Sequence, residues 1–348
     1  MKYNCRFNKT FIHDKCLPRI VRILLWVGIY AFDPWWYILL IIARIKRKRS
    51  SHKYTFSICS IFKDEGLSLK EWIEYHRIIG VDHFYLYNNF SSDNYSEILQ
   101  PYIEKGIVTL TEWPVAPPSQ VPAYEHFKDN FWCETNWVAF IDLDEYICPK
   151  YADTIQEWIA PFKNYPSLVV YWKQFGSSGQ LVHDHSRLIT EQYTIAWSKY
   201  YDYGKPFFNT EFDVHSFSRR HIHELPAKIN FWGYNLKLPP INEFRKFVHF
   251  RTNRTGWFST SNDFSIQINH YVNKSYEEFF INKRKRGTPT STGKVAAHVR
   301  SSYAYNFAQS FATEADYTIQ RFMVRLKLRM RGIEEYDIES FVNKIGNT

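Results

Sequence analysis

The chain has 348 residues, a formal net charge of +9 from 44 Lys+Arg against 35 Asp+Glu, and 45% hydrophobic residues. That apolar content excludes disorder as the main state. The charge is uneven: residues 1–53 hold 12 basic residues and two acids, Asp14 and Asp33, whereas the other 295 residues hold 32 basic and 33 acidic groups. A near-neutral body with a basic arm is not a domain that coats nucleic acid, so no nucleic-acid partner is expected. The five cysteines are scattered without a C-x-x-C pair, which points to a reducing compartment.

The arm comes first. Residues 20–43 (IVRILLWVGIYAFDPWWYILLIIA) are long enough to span a bilayer. Asp33 and Pro34 interrupt the run, and both flanks are basic, so the positive-inside rule gives no orientation. A helix that enters one leaflet, bends at Asp33 and Pro34 and returns would set both flanks on one anionic surface. Trp26, Trp35, Trp36 and Tyr37 would then be interfacial aromatics. The basic cluster at 44–49 (RIKRKR) would add about 1 kcal/mol of attraction per residue. A single kinked span and a buried core hairpin are the alternatives. Contact with a membrane surface through residues 20–49 is the expectation.

The body, from residue 54, alternates strands and helices. Tyr54–Phe62 reads as a strand closed by a polar turn at 63–66. A helix follows, with Ser68 and Glu71 spaced as a capping box, apolar positions at Leu69, Trp72, Ile73, His76 and Ile79, and Gly80 as its stop. Strands are expected at 81–87, 107–112 and 137–141, with helices at about 94–105 and 124–134 between them. Such a succession builds a parallel sheet with right-handed crossovers, and ligands bind outside the carboxyl ends of its strands. The polar clusters 63–66, 88–93 and 142–145 all fall at those ends. Beyond a strand at 168–175, residues 180–270 show no clear periodicity. Helices are expected at 275–285 and 314–330. Three parts result: an arm at 1–53, a body at 54–310 and a C-terminal amphipathic helical segment at 311–348.

Residues 142–145 (DLDE) follow the apolar strand WVAFI. In an extended segment Asp142 and Asp144 point to one side and can converge on a hard divalent cation that bridges two phosphates. Around them lie more specific blocks: SICSIFKDEGLSLKEWIEYHRIIGVDHFYLYNNFSSD, WVAFIDLDEY, YWKQFGSSG and INHYVNKSYEEFFINKRKRG. Together these resemble a family 2-like glycosyltransferase related to family 92.

The resemblance implies an α/β GT-A (Rossmann-like) fold, with a mostly parallel sheet flanked by helices. It also implies a nucleotide-sugar donor, a UDP-sugar first, and a divalent cation, Mn²⁺ or Mg²⁺. Asp142 and Asp144 match the metal motif, and His215 resembles a late histidine that completes the metal shell. Lys63, Asp64, Glu65, Asn88 and Asp93 match positions facing the nucleotide, where carboxylates and amides read base N–H and ribose hydroxyls. Lys274, beside His270 and Tyr271, could neutralise the diphosphate. Trp172, Gly176, Ser177, Ser178 and Gly179 match a loop on the acceptor side.

An inverting transfer needs a carboxylate base, and Glu191 and Asp184 are its candidates. The reading is a metal-dependent, inverting transferase acting on a glycan or lipid-linked acceptor in surface polysaccharide assembly, at the cytoplasmic face of a bacterial inner membrane. The alternatives are a lumenal enzyme of the Golgi membrane and a membrane-tethered, non-catalytic carbohydrate-binding or scaffold protein.

Overall fold

A computed structural model describes residues 19–201, 203–217, 226–248, 264–283, 301–334 and 342. Residues 1–18, with the basic groups and cysteines placed there, lie outside the described residues. The first element, α1 (Arg19–Ile45), runs unbroken through Pro34, so the expected bend into a re-entrant hairpin does not form. Its C-terminal half is held by the body, which offsets the hydrogen bond that proline removes. Leu39, Leu40 and Ala43 are buried in the main core, and Tyr37 sets its ring edge-on to Phe247 at 5.3 Å. No helix among the described residues is long and apolar enough to cross a membrane.

The basic cluster after α1 also turns inward. Arg44 donates to the Asn164 carbonyl, Arg47 pairs with Glu211, Lys48 pairs with Asp213 at 2.8 Å, and Lys46 donates to the Asn230 carbonyl. Four of the five basic residues expected to face lipid phosphates thus stitch the arm to the body.

In the body, β1 (Tyr54–Phe62) leads into α2 (Gly66–Ile78), β2 (His83–Asn88), α3 (Tyr95–Glu104), β3 (Val108–Glu112), α4 (Gln120–Asn130) and β4 (Thr135–Phe140). These four strands pair in parallel in the order β3-β2-β1-β4, as the sequence pattern requires. The strands at the centre carry apolar residues on both faces because helices cover both sides. The capping box does not form, since α2 starts at Gly66 with Glu65 at its N-cap. Glu71 instead accepts the backbone N–H groups of Ile189 and Thr190. The fourth helix begins four residues earlier than expected.

Beyond β4 the sheet becomes mixed. It gains β5 (Glu145–Pro149), β6 (Ser167–Gln174), β8 (Gly204–Asn209) and β11 (Ile266–His270), and its full order is β3-β2-β1-β4-β8-β6-β11-β5. Pairings β4–β8, β8–β6 and β11–β5 are antiparallel. Between these strands lie α5 (Ile155–Ile159), α6 (Ile189–Gln192) and β7 (Ile195–Trp197). A separate hairpin of β9 (Ala227–Phe231) and β10 (Tyr234–Leu238) packs beside α1. At the C-terminal side, helix Ser302–Phe311 and strand β12 (Ala312–Ala315) come before helix Met323–Met330. Ile319, Phe322 and Leu326 are buried in the main core, so this last stretch packs on the body.

Candidate active site

The carboxyl ends of β1, β2 and β4 do meet, as the strand order demands. Loops 63–66 and 88–94 are clasped together by their own acids. Asp64 accepts from the Ser92 backbone N–H at 2.7 Å, and Asp93 accepts from the Gly66 N–H at 2.6 Å. Asn88 donates to Glu112 and accepts from the Ser91 N–H. These side chains fix the loops' shape, and Asp93 takes the turn-forming role.

Against the clasp lies a cavity of about 310 Å³ lined by Asp64, Glu65, Ser68 and Asp93 on one side and by His183, His185, Lys274, Glu278 and Asn282 on the other. Lys274 is 2% exposed, and its ammonium donates to Ser68 Oγ at 3.2 Å and lies 3.9 Å from Glu65. A π-helical turn, Glu278–Asn282, brings Glu278, Asn282 and the following Lys283 to this region. Lys63 and Asn88 are not among the lining residues.

Residues 142–145 are not extended. The Glu145 N–H donates to the Asp142 carbonyl at 3.0 Å, so the segment turns and the two aspartates separate. Asp142 accepts from Lys205 Nζ at 3.0 Å and from Gln120 at 3.2 Å. Asp144 accepts from Lys283 Nζ, which also donates to the Val272 carbonyl. Each aspartate therefore has its own lysine, and the segment is not the extended pair that the spacing suggested.

Among the described residues, the group that could share a cation is Asp144, Glu145 and His270, whose ligand atoms all lie within 4.8 Å of one another. Antiparallel register explains it, because His270 of β11 stands directly opposite Glu145 of β5. His270 Nε2 is 3.6 Å from Asp144 Oδ1 and 3.9 Å from Glu145 Oε1. Glu145 is 0% exposed, and neither its Oε1 nor His270 Nδ1 has a hydrogen-bond partner among the described residues. Two carboxylates and an imidazole with such orphaned atoms fit a hard or borderline divalent ion.

The electrostatics divide the two acids. Burial pushes the Asp144 carboxyl up, but Lys283, with His270 and Lys274, outweighs it and holds the group well below the usual carboxylate range. Burial pushes Glu145 well above that range, with Asp142 and Asp144 adding to the rise and Lys205 only partly opposing it.

Other expected residues lie elsewhere. His215 faces the Leu236 carbonyl at 3.3 Å, so the histidine of the cluster is His270. Asp184 accepts from Ser186 at the start of an exposed turn, and Glu191 pairs with Lys327 at 2.7 Å. Neither lines the cavity. Trp172 is 8% exposed and lies beneath the cluster, its ring 4.9 Å from that of His270 and 5.8 Å from Lys205 Nζ. It is no open platform for a sugar. In the glycine loop, Ser177 donates to Gln309 and Ser178 Oγ accepts from Thr194 and Ile195 N–H groups. A Cβ at Gly176 would meet Ala312 at 2.7 Å, and Gly179 takes a positive φ of 79° to close the turn. This loop is packed against helix Ser302–Phe311.

Comparison with known proteins adds three findings. The model of glycosyltransferase family 92 matches residues 52–284, more than half of the chain. A family 92 protein of Ricinus communis is 30% identical over 153 residues, covering 42% of this chain and 27% of that protein. One of Arabidopsis thaliana is 29% identical over 141 residues, covering 40% and 24%. The chain thus spans about a quarter of the length of these curated relatives. Among solved structures, S. aureus TarS 1-349 is 13% identical with a TM-score of 0.31, covering 45% of this chain and 47% of that one.

Proposed function

The chain belongs to glycosyltransferase family 92, and we propose that it moves a sugar from a nucleoside-diphosphate donor in the 310 Å³ cavity to a glycan or lipid-linked acceptor, with a divalent cation at Asp144, Glu145 and His270. That the chain is a glycosyltransferase follows from the family; donor, acceptor, cation and stereochemistry are this reading's own. The observation that carries it is the position of Lys274, which lines the cavity and is near enough to Asp144 to help hold that carboxylate ionised.

The cation, Mn²⁺ or Mg²⁺, would supply charge neutralisation at the leaving diphosphate. The remaining work falls to the chain's own groups. Lys274 and Lys283 bring two ammoniums to the region where phosphate charge would develop, in surroundings dry enough to make them effective. Asp64 and Asp93 hold the two nucleotide-facing loops at a fixed separation. Asp142, anchored by Lys205 and Gln120, keeps part of its carboxylate accessible for a donor hydroxyl. Inversion, a UDP-linked donor and a role in surface polysaccharide assembly complete the proposal, with α1 facing a membrane surface.

The test is a calorimetric titration of the full chain with nucleoside-diphosphate sugars, with and without Mn²⁺ or Mg²⁺, followed by product analysis. Cation-dependent binding of one donor, lost in Asp144→Asn, is expected. Binding that ignores the cation would overturn the metal reading, and binding of no donor would overturn the whole.

A further inference from the structure

The hairpin of β9 and β10 falls in the least periodic stretch of the sequence, and its tip is unusual in three independent ways. The first is exposure: Trp232 is 88% exposed and Tyr234 74% exposed, with Phe231 stacked on Trp232 at 5.4 Å and 5°. A tryptophan that has almost no contact with the fold contributes little to the core it belongs to.

The second is backbone conformation. Trp232 and Gly233 form a two-residue turn with φ of 49° and 85°, the I′ arrangement. Asn-Gly is the favoured pair there, whereas a bulky residue with positive φ costs about 1 kcal/mol. The chain accepts a strained turn in order to hold tryptophan at the tip, and strain of this kind marks function.

The third is charge. Register places Lys228 directly opposite Lys237 on the face that turns away from the core, a like-charge pair that destabilises a ladder unless an anion answers it. Lys46, at the end of α1, donates to the Asn230 carbonyl and adds a third ammonium. Asp213, whose backbone carbonyl accepts from the Lys228 N–H, has its carboxylate paired with Lys48. Beside Lys46 the outward stripe of α1 ends, with Ile38, Ile41 and Ile45 exposed by 50%, 55% and 78%.

We propose that residues 227–238 form a second lipid-contacting element, seating Trp232 and Tyr234 at the level of the headgroups of an anionic bilayer while Lys228 and Lys237 meet lipid phosphates. Tryptophan and tyrosine favour that level because each has an apolar body and a polar tip. Basic residues beside them gain from the negative surface potential. The proposal rests on the reading of α1 as membrane-facing, and it extends the contact to a part of the body. Because α1 and the hairpin touch, the two would bind as one surface.

The experiment is flotation of the full-length chain with phosphatidylcholine vesicles, with and without phosphatidylglycerol. Wild type, Trp232→Asn, Lys228→Gln/Lys237→Gln and Ile41→Ser/Ile45→Ser are compared. Trp232→Asn restores the preferred turn residue, so its melting temperature should stay level or rise, while partitioning onto anionic vesicles falls about tenfold, as loss of one buried aromatic implies. The lysine variant should lose the preference for phosphatidylglycerol. If Trp232→Asn binds vesicles as wild type does while the isoleucine variant does not, the hairpin proposal is overturned and the α1 reading stands. If wild type binds neither vesicle, both are overturned. A drop in stability in Trp232→Asn with unchanged partitioning would assign the tryptophan to the fold.

Discussion

Lys205 Nζ lies 3.0 Å from Asp142 Oδ2 and 3.6 Å from Glu145 Oε1, on a side chain that is 1% exposed. Burial works against its charge, but Asp142 and Glu145 outweigh burial and raise its pKa above the ordinary lysine value. Lys205 therefore acts as a fixed internal cation that separates Asp142 from the acids able to bind metal.

Removing that cation leaves Glu145 and Asp142 facing each other. Lys205→Met should lower unfolding stability by about 3 kcal/mol, the low end for a broken buried pair, since Asp142 keeps 38% of its side chain exposed. Urea denaturation checks the value. Adding Asp142→Asn should recover part of the loss, and no coupling in that double-mutant cycle would count against the pairing.

At the cation cluster, Asp144→Asn should reduce turnover by at least about a hundredfold while circular dichroism stays native. His270→Ala should weaken cation affinity by at least about tenfold. His215→Ala, which alters a side chain facing a backbone carbonyl outside the cluster, should leave it unchanged. Titration of Mn²⁺ followed by paramagnetic resonance separates the two histidines, and an effect confined to His215 would reverse their assignment.

Acid should loosen the fold through His76. Its Nδ1–H donates to the Trp72 carbonyl at 2.8 Å, and Nε2 accepts from the Ile147 N–H at 3.2 Å, so only the neutral ring satisfies both. Burial pushes its pKa from 6.5 to about 3. The unfolded chain takes up a proton below about 6.5, and the folded chain refuses it until about 3, so stability is full above that window and declines as pH falls through it. Between pH 6.5 and 5 the loss from His76 should be about 2 kcal/mol. Burial also lowers His83, to about 4, in the same direction. Denaturant midpoints measured across this range should flatten in His76→Gln, and an unchanged slope would refute the assignment.

The arm offers a test that truncation cannot. Leu40 is 2% exposed and Ile41 is 55% exposed, although they are neighbours on α1. Leu40→Ala should cost about 2–5 kcal/mol of stability, whereas Ile41→Ser should cost little and act only on membrane partitioning. Deleting residues 1–53 would remove the exposed isoleucine stripe and uncover the core at once, so it would confuse the two effects. Chemical denaturation and vesicle flotation, run on both variants, distinguish them.

Local signals carried the first half of this fold. The strand Tyr54–Phe62, the helix after it and its stop at Gly80 were legible because apolar spacing and a positive-φ glycine are encoded within a few residues. The DLDE segment was legible as a candidate site, though its turn was not, since the turn depends on a hydrogen bond from Glu145 and on Lys205, which is 63 residues from Asp142. The partners that matter at the cluster, Lys205, His270 and Lys283, arrive on antiparallel or irregular segments whose register is set by tertiary pairing. Nothing in the spacing of His215 and His270 ranks one above the other. Only the pairing of β11 with β5 does, and that pairing spans more than 100 residues of chain.

Gly204 has no functional group, yet it governs the charge at the cluster. A Cβ at this position would lie 2.0 Å from the Val170 carbonyl oxygen, inside β6. Any other residue would force β8 and β6 apart, and Lys205, the next residue along, would be carried away from both of its acids. A hydrogen atom in place of a side chain is thus what lets a lysine be threaded into the floor of the site. Substituting it would dismantle that lysine's pairing without replacing a single polar atom.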